Sequence, residues 1–126
     1  MVNCNYISFG EPGPFSDIVE VNGNLLFLSG LVSEDFESGE VIRGGITAET
    51  RQTLTNLKNI LEQNGSDMAH VIRVDVMLND FSERDEMNAE YVKHFPADRM
   101  PARVCFGGVD LAAGLKIEMT VIAAKK

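Results

Sequence analysis

The sequence predicts an α+β fold of order βββαβαββ, in which two helices cover one face of a mixed sheet. Three observations lead to this. Two segments carry apolar residues at helical spacing, six others alternate or run at strand length, and Asn22-Gly23 separates two of these strands as a hairpin turn. The chain has 126 residues, 44% hydrophobic and 24% charged, which fits a single domain over residues 1–126.

The N-terminal half is predicted to supply three strands and the first helix. "YISFG" and the two halves of "DIVEVNGNLLFLSG" are the strands, and the polar stretch "LVSEDFESGEVIRGG" is a loop. In "TAETRQTLTNLKNILEQNG", three leucines form one helical stripe: Leu54, Leu57 and Leu61. Thr47 is the expected N-cap of this helix, and Gly65 is the expected residue just past its end.

The C-terminal half is predicted to contain three strands and the second helix. The alternation in "HVIRVDVMLND" places four apolar residues on one face of a strand: Ile72, Val74, Val76 and Leu78. "FSERDEMNAEYVKHF" repeats apolar residues every four positions, at Met87, Tyr91 and Phe95, and should end before Pro96. "ARVCFGGV" and "LKIEMTVIA" are the last two strands.

The last two strands are expected to lie next to each other. If residues 110–113 form a four-residue turn, Cys105 lies opposite Glu118, and Arg103 joins both on the sheet face that has no helices. A turn of odd length would reverse this relation. Val109 and Ile122 make that face partly apolar, and a partly apolar sheet face predicts association with another subunit.

Arg103 and Glu118 have two interpretations. One is a structural ion pair across neighbouring strands. The other is a functional pair, in which the planar guanidinium binds a carboxylate and the glutamate handles a water and its protons. Cys105 is more simply a small buried residue than a nucleophile, because no histidine stands near it in the sequence to activate it.

Composition argues against several functions. The net charge of −8 opposes nucleic-acid binding, which requires a basic surface. Cys4 and Cys105 lie too far apart for a zinc motif, and His70 and His94 are isolated, so no metal site is expected. Neither a secretion signal nor a membrane span is visible, so we expect a cytoplasmic protein with no membrane partner.

Five segments together resemble the Rid (YjgF) family. They are "PARVC" at Pro101–Cys105, "KIEMTVIA" at Lys116–Ala123, "SG" at Ser29-Gly30, "TRQTLTNLKNIL" at Thr50–Leu61 and "MNAEYVKHF" at Met87–Phe95. The resemblance implies a chorismate-mutase-like fold and a homotrimer with one site in each cleft between subunits. It also implies cofactor-free hydrolysis of reactive 2-imino and enamine acids (2-aminoacrylate, 2-iminopropanoate and 2-iminobutanoate) to 2-oxo acids and ammonia.

The resemblance also implies roles for individual residues. Arg103 takes the place of the arginine that binds the substrate carboxylate, and Glu118 that of the glutamate that handles water. Cys105 occupies the pocket cysteine position, where the backbone amide matters more than sulfur. The remaining substrate-binding positions are Phe15, Ser29, Gly30 and Asn88.

The sequence departs from the family pattern at three places. Phe15 in "GPF" replaces a tyrosine, which keeps the aromatic ring but removes a hydroxyl. Leu31 replaces a glutamine, and Leu111-Ala112 replaces "LP". The first two changes predict a more apolar or larger imine, or a lower activity.

Three other functions stay open at the level of sequence. They are a non-catalytic trimer that binds small carboxylates, a deaminase of another enamine such as an aminomuconate, and an endoribonuclease and translation inhibitor. The last is the weakest, because the chain has excess negative charge and no histidine pair.

Overall fold

The computed structural model describes residues 1–126 and has the predicted order βββαβαββ. The strands are β1 (Cys4–Ile7), β2 (Ile18–Val21), β3 (Leu25–Leu31), β4 (Val71–Leu78), β5 (Ala102–Phe106) and β6 (Ile117–Ala124). The helices are α1 (Ile46–Gln63) and α2 (Arg84–Tyr91), and short 3-10 turns extend α2 at both ends, at Phe81–Glu83 and Val92–His94.

All six strands form one mixed sheet in the order β1-β2-β3-β6-β4-β5. Only β4 and β5 pair in parallel, and α2 is the crossover between them. Apolar residues of both helices and of one sheet face form a single core. The predicted α+β architecture, with two helices on one face, is therefore confirmed. Neither helix has the length and apolar content needed to cross a membrane.

The predicted hairpin turn is present, and one helix boundary differs from the prediction. Asn22 and Gly23 have φ values of 53° and 69°, the left-handed geometry of a tight hairpin. Gly65 follows α1 at φ 80°, as predicted. Thr47 is not the N-cap: the N-cap is Gly45, two residues earlier, whose φ of 100° lets the chain turn into the helix.

Two bulges change which side chains face the core. In β4, a bulge between Val71 and Arg73 turns Ile72 outward, so it is 44% exposed and not part of the predicted stripe. In β3, Leu28 pairs with Val121 and Leu31 with Met119, so the register shifts by one residue between these two pairs.

Both leucines of this β3 bulge consequently face the core, where Leu31 is 8% exposed. The expected effect of Leu31 on substrate choice or activity stays a prediction, and Leu31 lies inside the protein. Its side chain belongs to the core that the helices cover.

The predicted contact between the last two strands is wrong, because β4 lies between β5 and β6. Arg103 pairs with Val74 and Cys105 with Val76, and both valines are fully buried on the helix side. Cross-strand partners share a face, so Arg103 and Cys105 point toward the helices. Glu118 pairs with Met77 and faces the other side of the sheet, which we call the open face.

A buried carboxylate joins the two helices. Glu90 of α2 accepts hydrogen bonds from Arg51 of α1 (Nε 3.3 Å, Nη2 3.1 Å) and from His94 (Nε2 2.6 Å). Its side chain is only 4% exposed. Burial raises the pKa of Glu90, but the hydrogen bonds from Arg51 and His94 outweigh it and bring the pKa down to about 2.

Replacing this carboxylate should weaken the fold in a pH-dependent way. The pKa of Glu90 lies below its ordinary 4.5, so its contribution is full above about pH 4.5 and is lost as the pH falls toward about 2. We expect Glu90→Gln to lower the free energy of unfolding by about 2 kcal/mol near neutral pH. Urea unfolding at neutral pH and at about pH 3 should show the difference shrinking in acid.

Glu62→Gln is the matched control, since Glu62 pairs with Lys58 on the exposed side of α1 and should cost less than about 0.5 kcal/mol. A Glu90→Gln protein as stable as the parent at neutral pH would contradict this account.

Candidate functional site

Arg103 lies on β5 with its guanidinium over an aromatic ring. Its Cζ is 4.7 Å from the ring centroid of Tyr91, a cation–π contact that holds the side chain against α2. No Asp or Glu oxygen of the chain lies within 4.0 Å of this guanidinium. The interpretation of Arg103 and Glu118 as an ion pair within one chain is therefore wrong.

Two buried polar atoms of α2, the helix that Arg103 faces, lack hydrogen-bond partners. Tyr91 is 2% exposed and packs against Phe95, with ring centroids 4.9 Å apart. The Tyr91 hydroxyl and the Asn88 Oδ1 atom are both buried without a hydrogen-bond partner. Burial raises the pKa of Tyr91 to about 12, against the opposing effect of Arg103, so the hydroxyl stays protonated.

Cys105 is the next residue of β5 on the same face. It is half-buried and packs against the core. Burial raises the pKa of its thiol, and the nearby Arg103 and Arg84 oppose that rise only in part. A thiol that stays protonated is a poor nucleophile, which favours a structural or backbone role for Cys105. We call Arg103, Cys105, Asn88 and Tyr91 the arginine cluster.

The other predicted site residues gather where β3 meets β6. Ser29 donates from Oγ to the carbonyl of Ser16 at 2.6 Å, which ties β3 to the segment carrying the exposed Phe15. At Gly30, a Cβ atom would overlap Oε2 of Glu118, so the glycine leaves room for the carboxylate. Glu118 forms no ion pair. We call Phe15, Ser29, Gly30 and Glu118 the glutamate cluster.

The arginine and glutamate clusters do not meet within one chain. They lie on opposite faces of the sheet, and β4 separates β5 from β6, so their backbones are about 9.5 Å apart across the strands. Two surface cavities, of about 190 and 630 Å³, are lined by neither Arg103 nor Glu118. A small ligand held at Arg103 cannot reach Glu118 of the same subunit.

The open face is apolar at the positions where it could meet another subunit. Phe27, Val104 and Phe106 are 40%, 39% and 44% exposed. Ile122 is half-buried beside Phe27 on the same face, as the sequence predicted. Phe27 lies on β3 and the other two on β5, at either side of the Arg73–Asp75 ion pair, and exposed apolar side chains on a sheet face favour burial against another protein surface.

The sequence analysis did not identify Tyr91 as part of the site. Its spacing from Met87 and Phe95 predicts a core residue, and the ring is indeed buried. The available signal was its position three residues after Asn88, since residues at i and i+3 lie on one side of a helix. The contact with Arg103 depends on how α2 lies against β5, which the spacing does not give.

These features define an α+β protein with an unpaired arginine beneath a helix and a glutamate on the opposite face of the sheet. The sequence profile of the family described as Endoribonuclease L-PSP matches residues 8–125. The chain belongs to this family, which is the Rid (YjgF) family that its motifs resemble.

Individual relatives support the assignment. A RutC family protein of Pyrococcus horikoshii is 38% identical over 114 residues, covering 90% of this chain and 89% of the relative. The human 2-iminobutanoate/2-iminopropanoate deaminase is 32% identical over 114 residues, covering 90% and 82%. The crystal structure of a YjgF family member from Neisseria meningitidis superposes with a TM-score of 0.84 at 30% identity, covering 98% and 96% of the two chains.

The contact between Gly30 and Glu118 can be tested directly. In Gly30→Ala, we expect the carboxylate of Glu118 to move, because the new methyl group occupies its position, while the fold is kept because only the end of a flexible side chain must shift. The free energy of unfolding should change by less than about 1 kcal/mol. A crystal structure of the variant measures the displacement.

Gly10→Ala is the control, since a Cβ at Gly10 would meet nothing within 4 Å. In the Gly30→Ala crystal structure, a well-defined new methyl group beside an unmoved Glu118 carboxylate would contradict the proposed fit. Both variants should be crystallised under the same conditions, so that any displacement is attributable to the substitution.

Proposed function

We propose that the protein hydrolyses reactive 2-imino and enamine acids, of the 2-aminoacrylate, 2-iminopropanoate and 2-iminobutanoate type, to 2-oxo acids and ammonia. The observation that carries the proposal is the Arg103 guanidinium, which has no carboxylate partner and lies over Tyr91, three residues along α2 from the unpartnered Asn88 oxygen. An arginine in that setting suits a ligand carboxylate, which its planar fork binds with two parallel hydrogen bonds. The names of relatives at 32–35% identity, which are deaminases, support the same activity.

The site is completed by a second subunit. Arg103 and Glu118 face opposite sides of the sheet, so a small substrate can touch both only if they come from different copies of the chain. The exposed apolar residues of the open face supply a surface for that association. We propose a homotrimer, the assembly implied by the family resemblance, with the arginine cluster of one subunit facing the glutamate cluster of the next.

The chemistry follows from these two groups. Arg103 holds the carboxylate, so the adjacent C=N carbon is presented in a fixed position. Glu118 accepts a proton from a water as the water oxygen bonds to that carbon. It returns this proton to the imine nitrogen, which gives a carbinolamine. Glu118 then transfers the hydroxyl proton to the same nitrogen, so that the C–N bond breaks, the carbonyl forms and ammonia leaves. One imine and one water give one 2-oxo acid and one ammonia, and no cofactor takes part.

The other members of the two clusters orient the substrate. Asn88 Oδ1 is free to accept a hydrogen bond from the imine N–H, and the Cys105 backbone N–H donates to a substrate oxygen. Ser29 and Gly30 form the bulge that keeps Glu118 in place. Phe15 supplies an aromatic wall without the hydroxyl of the family tyrosine, so this chain makes one hydrogen bond fewer at that position.

The other candidate functions are less well supported. The family description names an endoribonuclease, but a chain of net charge −8 is a poor match for RNA. His70 contacts Asp67 and His94 contacts Glu90, each at 2.6 Å, so each histidine is paired with a carboxylate of its own segment. A purely ligand-binding trimer needs Arg103 but leaves Glu118 without a role. The aminomuconate alternative uses the same site on another enamine.

Variants of the two central residues separate catalysis from binding. Glu118→Gln should keep the fold and the affinity for 2-oxobutanoate but lose ammonia release, because an amide cannot carry the proton. Arg103→Lys should weaken 2-oxobutanoate binding about ten- to a hundredfold, since an ammonium cannot reproduce the bidentate contact. Calorimetry and an ammonia assay on freshly generated 2-iminobutanoate measure both effects.

The matched controls are Glu62→Gln and Arg99→Lys, which change exposed residues of α1 and of the segment before β5. Full turnover by a folded Glu118→Gln protein would remove this glutamate from the mechanism. Unchanged oxo-acid affinity in Arg103→Lys would remove the arginine from the binding site.

The assembly has its own test. Analytical ultracentrifugation at micromolar concentration should give a mass about three times the 13.8 kDa of one chain. Phe106→Glu, which places a charge on the open face, should dissociate the assembly and abolish turnover while leaving each chain folded. A single-chain mass for the unaltered protein, with full activity, would rule out a site shared between subunits.

A further inference from the structure

A second arginine lies along the same side of α2 as the arginine cluster. Two contacts fix how α2 runs against β5. A Cβ at Gly107 would sit 2.8 Å from Cα and 2.9 Å from N of Phe81, and Tyr91 lies under Arg103. The helix therefore runs antiparallel to the strand, with its start beside Gly107 and its end beside Arg103. Arg84, the first residue of α2, lies between these contacts.

The charge of Arg84 is only weakly compensated. Its Cζ rests 5.1 Å from the ring centroid of Phe81, and its side chain is 48% exposed. Its one carboxylate neighbour is Asp85 at 3.8 Å, whose side chain is 95% exposed, and a contact of that kind is weak. The adjacent Glu83 is already bonded to Lys116 at 3.2 Å.

Arg84 and Arg103 both lie near the Cys105 thiol, Arg84 at the start of α2 and Arg103 beside its end. Both lie close enough to the Cys105 thiol to oppose the rise in its pKa that burial causes. Arg84, Asn88 and Tyr91 follow at i, i+4 and i+7, so they share one stripe of α2. The rise of the helix separates the two ends of this stripe by about 10 Å. Asn88, with its unpartnered oxygen, lies between them.

We propose that Arg84 makes the site selective for 2-imino and 2-oxo acids of four or five carbons that carry a second carboxylate on the side chain. Arg103 binds the carboxylate next to the reacting carbon, and Arg84 binds the distal one. Asn88 then lies beside the nitrogen or oxygen on the second carbon. The imine chemistry in this inference rests on the proposed function, whereas the preference for a dianion rests on the two guanidiniums.

Because acidic residues outnumber basic ones in this chain, two neighbouring arginines with little compensation of their charge stand out from the rest of the surface. With 19 acidic and 11 basic residues, most dianions should be repelled from the surface. Arg51 is bonded to Glu90 and Arg73 to Asp75, each at about 3 Å. Against this excess of carboxylates, Arg103 has no carboxylate partner and Arg84 has only the exposed Asp85 at 3.8 Å, so the two form a local site for a doubly charged ligand.

The test compares two product analogues of equal length, 2-oxoglutarate and 2-oxopentanoate, by isothermal titration calorimetry. We expect the unaltered protein to bind 2-oxoglutarate at least about tenfold more tightly, as one added charge-assisted contact allows. Arg84→Gln should bring the ratio of the two affinities to about one. Arg84→Lys, which keeps the charge but not the fork, should give an intermediate ratio.

Arg99→Gln is the matched control. It removes one guanidinium that donates to Ala69, at the far end of β4 from Arg84, and should leave the ratio unchanged. Equal binding of both ligands by the unaltered protein would overturn the inference. So would an Arg84→Gln variant in which both affinities fall by the same factor.

Ammonia release separates this inference from the proposed activity. The assay uses 2-iminoglutarate and 2-iminopentanoate, each generated in solution by oxidation of the amino acid. Turnover of both imines at equal efficiency, with equal binding of the two oxo acids, overturns the role of Arg84 and leaves the deaminase proposal intact. An Arg84-dependent preference in binding without ammonia release supports the role of Arg84 and contradicts the deaminase proposal.

Discussion

The parallel pairing of β4 with β5 determines where the chemically important side chains lie. A parallel pair requires a crossover, and α2 provides it by lying over the strands that it connects. Arg103 therefore projects beneath α2 and meets Tyr91. The antiparallel β6 occupies the other side of β4, and its alternation turns Glu118 toward the open face. One topological choice thus places the arginine and the glutamate on opposite sides of the sheet.

Other cationic side chains near the two helices pair with a carboxylate, whereas Arg103 has no carboxylate partner. Arg51 and His94 bond to one buried carboxylate, Glu90, and Lys93 lies 3.5 Å from it. A chain with an excess of carboxylates could have paired Arg103 in the same way. Its guanidinium instead lies against an aromatic ring, which orients it without neutralising its charge. Such an arginine is available to an external anion, and in the proposed assembly it faces Glu118 of a neighbouring subunit.

Local features of the fold were predictable from the sequence. The hairpin at Asn22-Gly23, the glycine after α1 and the end of the second helical segment before Pro96 each depend on a few adjacent residues, and each is confirmed. The alternation in "LKIEMTVIA" likewise predicts that Ile117, Met119 and Val121 face the helices, and all three are buried, because alternation along one strand is a local property. The predicted N-cap Thr47 was wrong by two positions, since a glycine turn precedes the helix and Gly45 is the N-cap.

The predictions that were wrong depend on which strands pair with each other and in what register. Ile72 faces away from the core because a bulge shifts the register of β4, and such a bulge leaves no clear mark on the apolar pattern. The prediction that Arg103 and Glu118 share a face is wrong because it assumes that the last two strands, which are consecutive in the sequence, are neighbours in the sheet. The strand–helix–strand order of β4, α2 and β5 was the signal for a parallel pair with β6 elsewhere. Apart from Tyr91, the residues of both clusters were identifiable from motifs, but their division between two faces required the sheet order.

Subunit complementation tests most directly whether one site uses Arg103 of one chain and Glu118 of another. Inactive Arg103→Ala and Glu118→Gln proteins are unfolded together, mixed in equal amounts and refolded. Random assembly into a closed ring should place an intact arginine opposite an intact glutamate at about a quarter of the sites. The account predicts that the mixture regains about that fraction of the normal ammonia release, although each parent alone stays inactive. If assemblies that contain both chains form and the mixture remains inactive, the result would contradict a site built from two subunits.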